Sequence, residues 1–499
     1  MSSQNPPQPL TAGIIGAGIA GLSAGIALRR AGFQVEVYER SQFKNEVGAA
    51  ITMPPNATEI LRQWGFDFDA ARPVPNLCTR YVAASSLEPI FESRYADIEV
   101  QMGAPCLSFH RVDLHKGLRA LATEGSETGD DTDDEVEGGS RNRTKGTPVT
   151  IHLGCEVQNV DCEKGILTLA DGSKAQKDLV IIADGAHSKR LTDFLGHSAP
   201  AQPTGRSIYR WLVSSDCLES YPEIKEAFSG RLEGFVGWSD PKKHVLWITY
   251  ACSGGTLLSN AVVHDTEDHT PSQSSSNDTN STLDHGAKNE QTENGQKDET
   301  EKTSWSTPAT KEAVLTTCSN FHPSIRQLAS LAAEDGIKVH RLFKRPPLES
   351  FVNGRAAVIG DACHVMMPTH AAGAAMAIES AGVLFCLFKD LGGCQNGSAN
   401  RGGNTRESAI RDRLELFDKL RVPRCNLAML LSNAGPEGLR LPGVEQEIRR
   451  FYRGPLPPKD AVPWSAEFRE VLFNYNAIEK AAQALGNEVE KKGSRSGFS

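Results

Sequence analysis

The order of hydrophobic and polar positions predicts a strand, a helix and a second strand near the start of the chain. Residues Ala12-Gly-Ile-Ile-Gly16 form a short apolar run, and the segment from Ile19 to Ala31 has the composition of a helix. Val35-Glu-Val-Tyr-Glu39 then alternates β-branched and other residues before a charged end, which is typical of a strand. This order predicts the beginning of an α/β fold.

Two further buried strands are predicted far along the chain. Asp178-Leu-Val-Ile-Ile-Ala-Asp-Gly185 stops at a turn, and Arg355-Ala-Ala-Val-Ile-Gly-Asp361 precedes a small-residue helix from about Gly373 to Leu387. Between about residues 200 and 340, alternating runs such as His244-Val-Leu-Trp-Ile-Thr-Tyr250 indicate a β-rich region. Residues 407–431 and 466–485 have helical patterns.

Two segments have too few apolar residues to form a core. Residues 124–146 contain Val136 as their one large apolar residue, and residues 264–307 are rich in Ser, Thr, Asn, Asp, Glu and Lys. Such segments do not bury enough apolar surface to offset the cost of ordering the chain. We predict both to be mobile surface insertions.

Composition and charge narrow the class of protein. The chain has 499 residues, of which 39% are hydrophobic and 23% charged, and this leaves room for two or three globular domains. Its net charge of −9 provides no domain-wide basic surface, so we expect no nucleic-acid partner.

The cysteines and the N-terminal region indicate the cellular compartment of the protein. The 11 cysteines form no CxxC pair and no Cys/His cluster, which predicts reduced thiols and no metal site. The apolar stretch Gly13–Leu28 contains five glycines and ends in two arginines, unlike a membrane span or a cleavable leader. We therefore predict a cytoplasmic protein without a membrane span.

A glycine turn follows the first strand and opens the first helix. Gly16 permits the tight turn, Gly18 lets a pyrophosphate approach the backbone, and Gly21 allows close packing of helix on strand. Glu39 ends the second strand, where its carboxylate can accept hydrogen bonds from ribose hydroxyls. The pattern predicts a dinucleotide site, with an incidental glycine turn as the alternative. By itself it does not distinguish NAD from FAD.

Further motifs make that distinction. Ile182-Ala-Asp184-Gly185-Ala-His-Ser188 and Gly354-Arg-Ala-Ala-Val-Ile-Gly360-Asp361-Ala-Cys-His364 resemble two other fingerprints of the FAD-dependent aromatic-ring hydroxylases. These are single-component flavoprotein monooxygenases related to para-hydroxybenzoate and salicylate hydroxylases. Four more segments are similar to the family, and with them the resemblance covers about residues 11–485: Val47–Ile51, His110–Leu114, Pro368–Glu379 and Phe473–Glu479.

The resemblance implies a set of FAD-contacting residues. Arg111 would pair with the phosphates, with a surface salt bridge as the alternative. Asp361 would hydrogen-bond the ribityl chain, with a helix cap as the alternative. The helix that begins near Gly373 would point its N-terminus at the isoalloxazine ring. The implied cofactor-binding residues are Gly16, Gly18, Gly21, Glu39, Arg40, Gly48, Ala49, Arg111, Asp184, Asp361, Gly373 and Ala374.

The sequence departs from the family pattern at three positions. Ala371 stands where the family usually has glycine, so we expect a different local backbone geometry there. Leu191 stands where the family has an arginine that bears on the nicotinamide cofactor, and Lys189 and Arg190 are the candidate substitutes. Ser380 stands where an acidic residue often follows Glu379.

Three residues are candidates for the chemistry of the substrate. Arg210, in a segment that resembles the start of the family's substrate sheet, could hold a carboxylate or phenolate. Tyr250 could line the pocket, and His370 could act as a base. The alternatives are a strand arginine paired on the sheet surface, a half-buried core tyrosine and an ordinary turn histidine. Trp211, Trp238 and Trp247 could form an aromatic wall, but strand tryptophans usually pack in a core.

The predicted fold is α/β: a Rossmann-like FAD-binding domain, an inserted mostly β substrate domain and a helical C-terminus. The expected FAD-binding parts are residues 11–78, 106–198 and 341–395. The expected substrate-domain parts are residues 79–105 and 199–340, and residues 396–499 form the helical C-terminal region.

The resemblance implies a monooxygenase that uses NAD(P)H and O₂. Its flavin C4a-hydroperoxide would transfer a hydroxyl group to a phenolic or aromatic-acid substrate. One alternative is a flavin-dependent epoxidase or hydroxylase of a polyketide, indole or terpenoid intermediate in secondary metabolism. Another is a flavin-binding protein that has lost turnover. The sequence predicts neither the substrate nor the oligomeric state.

Overall fold

A six-stranded sheet organises the first half of the fold. The structure, a computed structural model, describes residues 8–43, 49–124, 146–222, 225, 228, 233–266, 306–392 and 406–496. Five strands of this sheet run parallel, and the strand Val352–Asn353 pairs antiparallel at one edge. In spatial order the strands are Val352–Asn353, Ala356–Val358, Leu179–Ile182, Thr11–Ile15, Gln34–Glu39 and Thr150–Leu153.

The central strand, Thr11–Ile15, is buried because strands pair with it on both sides and helices cover the sheet. The helix Ile19–Arg30 follows the glycine turn and packs against the helix Ala372–Gly392. Sheet neighbours therefore come from three separate parts of the sequence, and the turns at their carboxyl ends lie along one edge.

An eight-stranded, mostly antiparallel sheet forms the second half of the fold. One pair, Cys78–Ala83 with Phe235–Asp240, is parallel. In spatial order the strands are Ser306–Pro308, Lys338–Lys344, Gln202–Ser214, Leu257–Asp265, Val245–Cys252, Phe235–Asp240, Cys78–Ala83 and Pro89–Arg94. The predicted insertion at residues 264–307 is therefore too wide, since both of its ends belong to strands; its residues 267–305, and residues 125–145 of the other insertion, lie outside the described residues.

Two small antiparallel sheets complete the β structure. One consists of Val157–Asp161, Ile166–Leu169 and Lys174–Gln176, and the other of Ala50–Met53, Leu107–His110 and Val74–Pro75. The remaining α-helices are Pro55–Gln63, Phe68–Ala71, Ile98–Met102, Arg111–Thr123, Arg190–Leu195, Cys217–Ser220, Lys311–Thr317, Pro323–Ser330, Asp361–His364, Arg406–Asn433, Val444–Phe451, Ala466–Leu472 and Ala477–Ser496.

Two hydrophobic cores correspond to the two large sheets. The larger core joins the parallel sheet to its helices and to the C-terminal helices. The smaller core lies on one face of the eight-stranded sheet and contains Trp211, Trp238 and Trp247. The predicted α/β fold with a Rossmann-like domain, a β-rich second sheet and a helical C-terminus is confirmed.

The helix Ala372–Leu391 is long and apolar enough to cross a membrane, with a mean hydropathy of 1.5 over its most apolar stretch. However, 78% of that stretch is buried inside the structure, among the helices Ile19–Arg30, Arg406–Asn433 and Ala477–Ser496. This is the environment of a core helix in a globular domain.

Candidate functional site

The glycine turn leaves an open space beside the first helix. Gly16 has a φ of +95°, which favours glycine, and its N–H donates to the Tyr38 carbonyl at 2.9 Å. A Cβ on Gly21 would lie 1.8 Å from the Gly16 carbonyl oxygen, so this glycine permits the close packing of helix on turn. A Cβ on Gly18 would meet nothing within 4 Å. Because Gly18 lines a cavity, a ligand can approach the backbone there.

The first turn of this helix is suited to an anion. No acidic side chain lies in the first turn of Ile19–Arg30, and no side chain caps its N-terminus. The Glu39 carboxylate instead accepts hydrogen bonds from the Ala17 N–H at 2.8 Å and the Ser41 N–H at 2.7 Å. The remaining N–H groups of the first turn are thus available to phosphate oxygens.

This turn lies at one end of a cavity of about 360 Å³. Asp184 lines the cavity with a buried Oδ1 that has no hydrogen-bond partner, and burial raises the pKa of its carboxyl. An oxygen of this kind can accept a hydrogen bond from a bound ligand. Of the predicted cofactor-binding residues, this cavity is lined by Gly16, Gly18, Glu39, Arg40, Arg111, Asp184 and Asp361.

A second cavity, of about 390 Å³, adjoins the first and lies between the two large sheets. Gly18, Arg111 and Asp361 line both cavities, and Gly373 and Ala374 line the second one. The Gly373–Ala374 backbone belongs to the first turn of the helix Ala372–Gly392, which has no acidic side chain in that turn. A flat ring system can therefore lie against backbone N–H groups with little steric hindrance.

Ala371 precedes this helix in a left-handed conformation, with a φ of +52°. Alanine thus adopts here a backbone region that glycine favours. A left-handed alanine costs about 1–2 kcal/mol. The surrounding turn and helix must supply that energy.

Alternate residues of the eight-stranded sheet form the floor of the second cavity. Ile248 and Tyr250 line the cavity, whereas Trp247 lies in the core on the opposite face because side chains alternate along a strand. Arg210 lines the cavity from the neighbouring part of the sheet, and Trp211 faces the core. The three strand tryptophans are therefore core residues.

Arg210 is the most deeply buried charge on this floor. Burial lowers the pKa of its guanidinium, Tyr250 acts to raise it, and Arg111 acts to lower it. Its Nε is buried without a hydrogen-bond partner. No carboxylate forms an ion pair with Arg210 within the described ranges, so an anion bound in the cavity would satisfy an otherwise uncompensated charge.

Tyr250 lies beside Arg210 but is engaged with the backbone. Its hydroxyl donates to the Ala50 carbonyl at 2.8 Å, and burial raises its pKa to about 12. The Ala50 N–H in turn donates to Ser259 Oγ at 3.3 Å. Tyr250 and Ser259 both line the cavity and join its floor to the strand Ala50–Met53.

His370 lines neither cavity. It is 1% exposed, and its ring stacks on Phe468 with 4.4 Å between centroids. Burial lowers its pKa to about 3, so the ring is neutral at ordinary pH. The structure thus places this predicted base in a packed position, with Phe468 and not a ligand on its face.

The other sequence candidates are placed as follows. Ala49 is buried, and its carbonyl accepts the Arg111 N–H at 2.8 Å. Gly48 lies outside the described residues. Leu191 is 1% exposed in the core, while Lys189 is largely exposed and lies 3.8 Å from Glu156. Lys189 and Arg190 both line the cavity of the glycine turn.

A buried ion cluster fixes the helix that supports the second cavity. Glu379 is fully buried and pairs with Arg421 at 2.8 Å and with Arg424 at 2.9 Å. Asn56 donates to the same carboxylate at 2.6 Å. The cluster ties Ala372–Gly392 to the helix Arg406–Asn433.

Three cavity residues could not be recognised in the sequence. Tyr81 and Phe235 come from adjacent strands of the large sheet, and Trp464 comes from the C-terminal region. The alternation of strand residues gives a signal for the first two once the strands are known. Trp464 lies between helices, and no periodic pattern surrounds it.

Comparison with known proteins agrees with this arrangement. A family model described as "Pyridine nucleotide-disulphide oxidoreductase" matches residues 12–208. The chain is 29% identical to hispidin-3-hydroxylase of Neonothopanus nambi over 423 residues, which are 82% of this chain and 85% of that protein. It is 29% identical to the FAD-dependent monooxygenase cfoG of Aspergillus candidus over 480 residues, which are 95% and 94% of the two chains.

Solved structures share the fold over nearly the whole chain. A salicylate hydroxylase substrate complex superimposes with a TM-score of 0.64 at 21% identity, covering 95% of this chain and 98% of that one. Klebsiella pneumoniae HpxO complexed with FAD and uric acid gives a TM-score of 0.62 at 18% identity, covering 95% and 97%.

The comparisons support FAD as the cofactor of this chain, and the glycine turn and the two adjoining cavities lie between the Rossmann-like sheet and the large β-sheet. The open space at Gly18 and the orphaned Asp184 oxygen both fit this cofactor. The chain is similar to FAD-dependent aromatic-ring hydroxylases over most of its length, and its enzymatic class is that of an FAD-dependent monooxygenase.

Proposed function

We propose that this monooxygenase hydroxylates a phenolic or other acidic aromatic substrate, which Arg210 binds as an anion. The observation that carries the proposal is the Arg210 guanidinium on the cavity floor, whose Nε is buried without a hydrogen-bond partner and which pairs with no carboxylate among the described residues. A phenolate or enolate oxygen at this position would satisfy the guanidinium and lower the pKa of the substrate hydroxyl. A deprotonated ring is also richer in electrons, which favours hydroxylation.

The names of two relatives support this substrate class. One is a hispidin-3-hydroxylase, and another, from Bordetella bronchiseptica, is a 6-hydroxynicotinate 3-monooxygenase with 26% identity over 76% of this chain. Both names describe hydroxylation of a ring. We infer the same reaction type for this chain, with the substrate itself unassigned.

The chain's own residues would bind the cofactor and the substrate, orient them and shield the reacting atoms from water. When bound, FAD supplies electron transfer from NAD(P)H and the activation of O₂. The N–H groups at the start of Ala372–Gly392 would stabilise negative charge on the ring system that lies against them. The apolar floor residues Ile248, Ala261 and Val263 would keep water away from the reacting atoms.

We further propose that residues 11–78, 106–198 and 341–395 form the FAD-binding domain, and residues 79–105 and 199–340 the substrate domain. A cytoplasmic location is also proposed. It is supported by the described cysteines, all of which are free thiols.

The test is NAD(P)H oxidation and product formation by the purified yellow protein with salicylate, 6-hydroxynicotinate and resorcinol. We expect at least one compound to stimulate oxidation and to yield a hydroxylated product. Arg210→Gln should raise the KM for that compound at least tenfold while flavin content stays unchanged, and Arg210→Lys should restore part of the affinity.

Arg80→Gln is the matched control. Arg80 lies on a strand of the same sheet but pairs with Glu92 at 3.0 Å outside the cavity, so its loss should leave the KM within twofold. The proposal is wrong if Arg210→Gln retains the wild-type KM, or if no acidic aromatic compound stimulates NAD(P)H oxidation.

A further inference from the structure

The cavity floor contains a straight row of residues across five strands. Arg210 lies opposite Ala261, Ala261 opposite Ile248, Ile248 opposite Gly237, and Gly237 opposite Tyr81. Adjacent strands are about 4.8 Å apart, so the strands of Arg210 and Tyr81 are separated by about 19 Å. The row thus has a cation at one end and an aromatic ring at the other, with short or aliphatic side chains between them.

At the Tyr81 end of the row, aromatic side chains extend inward over the neighbouring residues. A Cβ on Gly237 would lie 2.7 Å from the Tyr81 ring, so the tyrosine lies over the glycine. Phe235 packs edge-to-face on Tyr81 with 6.1 Å between centroids. Trp464 packs edge-to-face on Phe235 with 4.7 Å between centroids. All three rings line the cavity, and together we call them the aromatic end.

Two hydrogen bonds hold Trp464 in place. Its Nε1 donates to the Thr369 carbonyl at 3.0 Å, in the turn that precedes Ala372–Gly392. Arg469 donates to the Trp464 carbonyl, and also to Ser93 Oγ at 2.8 Å in the large sheet. These bonds connect the C-terminal region with both halves of the fold.

The backbone at Trp464 is strained. Its φ of +68° is the left-handed region, which is rare for a large side chain. A residue in this region persists when its surroundings impose the conformation, and such positions are concentrated at ligand sites. The strained conformation brings the indole to the cavity wall, where it is 4% exposed.

We propose that the substrate has two parts, an acidic ring bound at Arg210 and an aryl arm received by Tyr81, Phe235 and Trp464. The inference rests on the proposed function, because it takes the anion at Arg210 as given and adds the second part. A single-ring acid bound at Arg210 is too short to reach the strand of Tyr81, which lies about 19 Å away along the row. Trp464 is then a specificity-determining residue supplied by the C-terminal region.

The test compares two probes that share one head group. Resorcinol is the acidic ring alone, and 5-styrylresorcinol carries the same ring with an aryl arm. Their dissociation constants are measured on the flavin-containing enzyme from the change in flavin absorbance. We expect wild type to bind 5-styrylresorcinol at least tenfold more tightly. Trp464→Leu should weaken that binding about tenfold and leave resorcinol binding within twofold, because only the arm contacts the indole.

Two further variants keep the result interpretable. Phe235→Leu removes the central ring of the aromatic end and gives the same comparison if Trp464→Leu does not retain flavin. Trp238→Phe changes a tryptophan on the opposite face of the same sheet and should leave both affinities unchanged.

The inference is overturned if wild type binds the two probes equally or binds neither, or if Trp464→Leu weakens both probes alike. Failure of the proposed function would look different. In that case the yellow enzyme would show no NAD(P)H oxidation with any phenol, and Arg210→Gln would not change the affinity for resorcinol.

Discussion

The Tyr250 hydroxyl donates a hydrogen bond of 2.8 Å to the Ala50 carbonyl oxygen, and this bond joins the floor of the second cavity to the small sheet that contains Ala50–Met53. The donor of Tyr250 is therefore already used within the protein. Its pKa of about 12 also keeps the hydroxyl protonated at every pH at which the enzyme is expected to work. Both facts favour a positioning role over a role as base.

Tyr250→Phe should therefore leave the pH profile of kcat/KM unchanged. We expect a loss of stability of about 1 kcal/mol from the missing hydrogen bond, and a KM increase below tenfold. Steady-state rates from pH 6 to 9 and chemical unfolding would measure both effects. Tyr209→Phe, whose ring faces the opposite side of the sheet and stacks on His264, is the control. The prediction would be contradicted if the rise or the fall of kcat/KM with pH disappeared in Tyr250→Phe.

Gly18→Ala should weaken FAD binding, whereas Gly21→Ala should destabilise the fold. At Gly18 the new methyl group enters open space that the cofactor requires, so the apoprotein should fold normally but bind FAD at least tenfold more weakly. At Gly21 the methyl group would collide with the Gly16 carbonyl, so the fold itself should be destabilised. Flavin content and apoprotein melting would separate the two. Normal FAD affinity in Gly18→Ala would argue against a pyrophosphate at this turn.

Ala371→Gly should stabilise the apoprotein by about 1 kcal/mol, because glycine adopts a φ of +52° without the penalty that alanine pays. Ala375→Gly provides the opposite case. Ala375 is buried in the right-handed helix that follows, where glycine should cost about 1 kcal/mol. Urea unfolding of both variants tests the pair, and equal destabilisation would show that Ala371 carries no strain.

Glu379→Gln should destabilise the protein by about 3–5 kcal/mol, since it leaves Arg421 and Arg424 buried without a counter-charge. Burial raises the pKa of the Glu379 carboxyl, but the two guanidinium groups lower it further, so that its net pKa lies below the usual value. The folded state therefore binds this proton less readily than the unfolded state. The stabilisation is present above the unfolded pKa of about 4.3 and is lost as the pH falls through the lower folded pKa.

Unfolding of Glu379→Gln as a function of pH measures this effect. The variant should lose less stability than wild type between pH 5 and pH 3. Glu92→Gln, which removes a partly exposed partner of Arg80 and Arg94, should cost less than about 0.5 kcal/mol. A Glu379→Gln variant as stable as wild type would show that the cluster is not structural.

His370→Phe should preserve activity and reduce the acid sensitivity of the fold. Burial holds the folded pKa near 3, below the unfolded value of about 6.5, so wild type loses stability as the pH falls below about 6.5. Phenylalanine keeps the stacking on Phe468 without a proton site. Thermal unfolding from pH 7 to pH 4 checks this, with His197→Phe at an exposed position as control. Loss of turnover in His370→Phe would restore it as a candidate base.

The sequence predicted the elements that carry the cofactor to within a few residues. The glycine turn, the strand ending at Glu39 and the helix that begins near Gly373 have local signals, because glycine positions and apolar runs restrict the backbone directly. The predicted helix at residues 466–485 is in fact two helices, Ala466–Leu472 and Ala477–Ser496. Asn474 and Asn476 lie in the break between them.

The residues that line the second cavity were predicted less completely, because they come together only through contacts between distant parts of the sequence. Trp464 is brought to Phe235 by the C-terminal fold, and nothing near either residue in the sequence indicates this contact. Trp247 and Tyr250 are three residues apart on one strand, and their opposite faces follow from the alternation of strand side chains. His370 lies next to the cofactor turn in sequence, yet its side chain turns into the core.

The order of strands in the parallel sheet also constrains how the protein folds as it is synthesised. Thr11–Ile15 is made first but lies at the centre, and its contact with Asp178 closes a separation of 167 residues. The next neighbour, Ala356–Val358, leaves the ribosome later still. Contacts of such long range slow folding, and a growing chain exposes the apolar edge of this first strand in the meantime. We therefore expect the nascent chain to depend on chaperones until about residue 358 has emerged.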